Sequence, residues 1–237
     1  AVVAEMTLSA PAGATVITPL TTLLDGAGDL SVEELQASLG LTVNPLEFNH
    51  FADGVDADQA VAAEKAAQQI ATVLTTVTAI GGGDASAFAE TVKAVASKFD
   101  NQTTVVDMTA SSFVGDVLDT AVAAVNAANT GTADIVISAA NKATLTASVV
   151  NVNKILEDTL VAGVNLNGSA IKNALATVSQ FTESVVAIDD FTVNTALSTG
   201  GFDDLETVKA ALANTAPTNI ALSANIIKDG DSTVATA

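Results

Sequence analysis

Residues 56–80 read DADQAVAAEKAAQQIATVLTTVTAI. Within them Val61, Ile70, Val73, Val77 and Ile80 fall on one face at a period close to 3.6 residues. That spacing predicts a long helix from about Asp56, stopped by Gly81-Gly82-Gly83. The uncharged run from Ala66 to Gly83 contains Gln68, Gln69 and several threonines, and only Ile70 to Ile80 is densely apolar. A bilayer crossing needs roughly 20 apolar residues, so no membrane insertion is expected.

The same period extends on both sides. Upstream, Thr18-Pro19 opens a short helix carrying Leu20, Leu23 and Leu24, with proline in the turn where a missing N–H costs least. Ser31 and Glu34 form a capping box, and Gly40 ends the helix that follows. Downstream, Phe88, Val92, Val95 and Phe99 mark a helix after Asp84, and Phe113 to Val125 mark the next. Leu145, Val149, Val152, Leu156 and Leu160 place another from about Thr132 to Leu160. Ile171 to Ile188 and a short run at Leu205, Val208 and Leu212 complete five or six substantial helices and two short ones. Threonine and valine are weak helix formers, so tertiary packing must hold these elements.

Both ends read differently. Met6-Thr7-Leu8-Ser9 and Thr15-Val16-Ile17 alternate or are β-branched, as does Asn219 to Ile227 before the turn at Asp229-Gly230. The expected fold is therefore all-α: a multi-helix bundle over residues 18–215 with short β-like flanks at 1–17 and 216–237. Ala1-Val2-Val3-Ala4-Glu5 lacks a signal peptide's basic start and apolar core, and reads as a mature end or a cut within a longer chain.

Composition narrows function. The 237-residue chain carries a formal charge of −19, and all eight of its basic residues are lysine. Without arginine, and with that charge, it would repel nucleic-acid phosphates and anionic membrane surfaces. The absence of cysteine removes disulfides, thiol catalysis and cysteine-ligated metals. Strong acidity suits an exposed, exported protein.

Leu8 to Leu23, Leu30 to Leu41 with Asn44-Pro45-Leu46, and Ala216 to Ser223 with Ser232 to Thr236 together resemble segments of large secreted bacterial adhesin-like surface proteins with RTX or cadherin-like repeats. The first two resemble the passage from a β-sandwich repeat into an Ala-rich helical region. The last is similar to the opening strands of a following cadherin-like repeat. The resemblance covers about a third of the chain. It implies export to the cell surface, neighbouring domains of one long chain as partners, and calcium in the β repeats. It supplies no catalytic residues.

Individual residues give few sites. His50, the only histidine, lies between Phe48 and Phe51 and is the candidate axial ligand should the bundle hold haem, chlorophyll or a lipid. The plainer reading is a partly exposed histidine near a helix start, whose replacement by alanine would barely change stability. Asp53, Asp56, Asp58 and Glu64 tempt an EF-hand reading. It fails because Val55, Ala57 and Asp58 stand where ligands and the turn glycine are needed. Asp53, Asp56 and Asp58 stay as a looser calcium site, weighed against capping of the next helix, and Asp229 and Asp231 as calcium ligands at a domain junction. No Gly-x-Ser-x-Gly elbow accompanies His50. Asp84 after the triple glycine opposes a phosphate loop. No cofactor is expected, and the eight phenylalanines read as core rather than pocket lining. The reading is a non-catalytic structural or interaction module of an exported surface protein, engaged in adhesion, self-assembly or contact with another surface protein. The alternative is a carrier of an apolar cofactor or pigment.

Overall fold

The computed structural model describes residues 7–80, 85–102, 104–128 and 135–166, with isolated positions at 172, 176 and 178. The described residues form six helices and no strand: α1 (Pro19–Gly26), α2 (Val32–Leu39), α3 (Ala57–Ile80), α4 (Ala85–Ala96), α5 (Ser111–Ala128) and α6 (Ala139–Thr159). The all-α class holds over these residues. No helix among them is long and apolar enough to cross a membrane.

Local chemistry sets the boundaries. Thr18 caps α1 and exchanges hydrogen bonds with Thr21. Ser31 and Glu34 close the capping box of α2, and Gly40 ends it at φ 64°, the left-handed region that glycine enters without steric cost. The Ser31 hydroxyl and backbone N–H hold the Glu34 carboxyl below its ordinary range, as the Thr109 hydroxyl and N–H do for Asp107. A depressed carboxyl stabilises the fold above its unfolded pKa and loses that contribution as pH falls through the folded value. Glu34→Gln is therefore expected to lower the melting temperature near neutrality, with the gap to the parent closing as pH falls below about 4. Thermal melts across that range check the sign.

α3 packs against α1, α4, α5 and α6, and is buried nearly all round. Its core face extends beyond the predicted one to Ala60, Ala63, Ala66, Ala67 and Leu74. Several of its buried polar groups bond within or across the bundle, although Thr78 Oγ1 has no partner among the described residues. Thr72 and Thr76 donate to the carbonyls of Gln68 and Thr72 four residues back, each at 2.8 Å. Gln69 donates to the carbonyl of Asn153 on α6 at 3.1 Å, and the Asn153 amide donates to that of Met108 at 2.8 Å. This polar seam fixes the register of α3 against α6.

Close approach of α1 and α4 depends on Gly26. A Cβ there would stand 2.5 Å from Val92 Cγ1, a buried methyl with little room to retreat. Gly26→Ala is expected to destabilise by about 1–3 kcal/mol, as overpacking does. Chemical denaturation should show the loss, and its partial recovery in Gly26→Ala with Val92→Ala.

One expectation is corrected. α6 begins at Ala139 rather than near Thr132. Ser138 caps it, and the Asn126 side chain grips Ile135 through both its N–H and its C=O, at 2.8 and 3.0 Å. Those bonds hold the approach to α6 in non-helical backbone. Over residues 7–17, the described part of the first β-like flank, the chain contains no strand. Ser9 N–H donates to the Thr22 hydroxyl at 3.0 Å, and the hydroxyls of Thr21 and Thr22 donate to Ser9 C=O at 2.9 and 3.1 Å. Thr15 N–H donates to Leu46 C=O at 2.8 Å. Helix hydroxyls and a loop carbonyl thus supply the partners another strand would. The 216–237 flank and the Leu205–Leu212 helix lie outside the described residues. So does most of the Ile171–Ile188 helix, although positions 172, 176 and 178 are helical and Val178 is buried.

Candidate functional site

His50 sits in the segment between α2 and α3, just after a turn at 44–49 in which Phe48 N–H donates to Asn44 C=O. The Asn49 side chain accepts from Phe51 N–H at 3.0 Å, which tightens the backbone around the histidine. The imidazole lies 4.3 Å from the Phe51 ring, centroid to centroid. Its Nε2 donates to Glu64 Oε2 at 2.7 Å, across to the second turn of α3. Both residues are buried, at 9% and 3% exposure. The other carboxylate oxygen accepts from Gln68 Nε2 at 2.9 Å. The histidine is therefore not partly exposed, which corrects the plainer reading of it. A carboxylate in an Ala-lined helix face draws it inward.

Glu64 is the residue missed in the sequence. It entered only as the twelfth position of a failed calcium loop, yet its neighbours on the same face, Ala60 and Ala67, are both buried. A lone acid between alanines one turn away on either side is the available signal that a buried partner is required.

The three acids before α3 separate by role. Asp56 accepts from Gln59 N–H at 3.0 Å and caps α3. Asp58 reaches to Gly163 N–H, beyond α6, at 2.7 Å. Asp53 is exposed in the preceding turn. Among the described residues no group of three or more histidine, aspartate or glutamate side chains is placed to hold a metal ion. Asp229 and Asp231 lie outside those residues.

A cavity of about 280 Å³ adjoins the pair. His50 and Val55 wall it from the α2–α3 segment, Ala57 and Ala60 from the first turn of α3, and residues 163–166 from beyond α6. None of the described phenylalanines lines it. Phe88 and Phe99 are buried in the core, and Phe48, Phe51 and Phe113 pack against it. Phe181, Phe191 and Phe202 lie outside the described residues. Drug-sized ligands usually occupy about 300–1,000 Å³, so this cavity suits a molecule well short of a tetrapyrrole.

No family model matches the chain. No curated protein and no solved structure matches it either.

Proposed function

We propose that the chain is a non-catalytic structural or interaction module of an exported bacterial surface protein, set between other domains of one long polypeptide. The observation that carries this reading is the fastening of residues 7–17 to the bundle. Ser9 is held through both backbone groups by the hydroxyls of α1, and Thr15 is tied to the segment after α2. A chain gripped in this way joins whatever precedes it to the bundle as a stiff joint rather than a free tether, which is what a spacer requires. The acidic, arginine-free composition supports solubility at an exposed surface. The likeness of both ends to adhesin junctions supports the same setting.

Cell fractionation followed by immunoblotting tests it. Antibody to this chain should detect a polypeptide far larger than 23.6 kDa in the envelope or secreted fraction. A cytoplasmic species of 23.6 kDa would overturn the reading.

A further inference from the structure

We propose that the cavity beside His50 binds a compact apolar molecule carrying a hydroxyl or amine donor and no negative charge. This inference is independent of the surface-module reading.

The site is built rather than incidental. His50 is nine-tenths buried and lines the cavity. Its Nε2–H is committed to Glu64, and Glu64 is itself held by Gln68. A carboxylate that takes one ring proton fixes the tautomer and leaves the other nitrogen as an acceptor. Nδ1 is thus the polar atom that the ring offers to an incoming donor, with Phe51 limiting the ring's rotation.

The remaining walls supply the apolar part. Val55, Ala57, Ala60, Val164 and Leu166 line the space, which opens to solvent, together with Gly163 and the polar Asn165. Size follows from volume, since an apolar cavity of about 150 Å³ already admits benzene. A space of about 280 Å³ accepts a substituted ring with a short polar arm. Charge then selects among such molecules. Asp56 and Asp58 flank wall residue Ala57, and Asp58 is bonded to wall residue Gly163. An anion entering here meets these carboxylates with no lysine or arginine among the described wall residues, whereas an alcohol or ammonium does not suffer that repulsion.

The single histidine makes the test clean, because its ring ¹⁵N and ¹H resonances belong to His50 alone. Benzyl alcohol, benzylamine and benzoate, three probes of similar shape, are titrated into the intact chain. The alcohol and the amine should each give a saturable shift of the His50 ring signals, and benzoate none. Ala57→Leu, at an exposed wall position, should abolish the shifts while helical circular dichroism stays that of the parent. The proposal is overturned by no saturable shift with alcohol or amine, by an equal response to benzoate, or by shifts undiminished in Ala57→Leu.

Discussion

Replacing His50 with leucine is expected to destabilise the fold by about 1–3 kcal/mol, the usual cost of leaving a buried polar group without one of its hydrogen-bond partners. The imidazole is the donor to Glu64 Oε2, and Glu64 is only 3% exposed. Without the imidazole, the carboxylate keeps Gln68 as its one partner among the described residues and stays buried. Most of the cost is that stranded group, not the worth of the hydrogen bond itself. The double variant His50→Leu with Glu64→Met should therefore recover much of the loss, since an apolar pair needs no solvation. Urea denaturation of the parent, both single variants and the double variant measures this directly. Additive losses in the double variant would show that the two side chains do not act as a pair.

The second large effect belongs to Phe99. Its side chain is fully buried, in the turn after α4, and its ring lies 5.8 Å from that of Phe113 at the start of α5. Its backbone carbonyl also accepts from the Ser38 hydroxyl of α2 at 3.0 Å. One residue thus links three helices at a point where the chain reverses. Phe99→Ala should cost about 3–5 kcal/mol, as lost transfer energy and an unfilled cavity add. Phe99→Leu should retain a good part of that. A loss below 1 kcal/mol for the alanine variant, read by calorimetry, would show that this corner is not packed as described.

These two residues show what could be read from sequence. The starts and stops of α1 and α2 were legible because caps are local: Thr18-Pro19, Ser31 with Glu34, and Gly40 each act within a turn. The span of α3 was legible from its period. Its burial on nearly every side was not, because that depends on α1, α4, α5 and α6 meeting around it. Phe99 carried the right burial and the wrong element. Its spacing from Val95 continues a helix face, yet α4 ends at Ala96, and tight turn bonds such as Phe99 N–H to Ala96 C=O close the chain beyond it. The false early start of α6 has a similar origin, since the clamp of Asn126 on Ile135 is a contact that periodicity cannot register.

The candidate site was half legible. His50 drew notice as the only histidine, but its partner lies fourteen positions away across a turn and a helix start, a separation no period encodes. Asp56 as a cap followed from local chemistry. The bond from Gly163 to Asp58 joins residues 105 positions apart and had no local signal.

The proposed display of the chain at the cell surface is open to direct measurement. Intact, unpermeabilised cells that produce it should be labelled by antibody raised against the folded bundle, and brief protease treatment of those cells should remove the signal. Labelling that appears only after the cells are broken open would contradict the surface-module account.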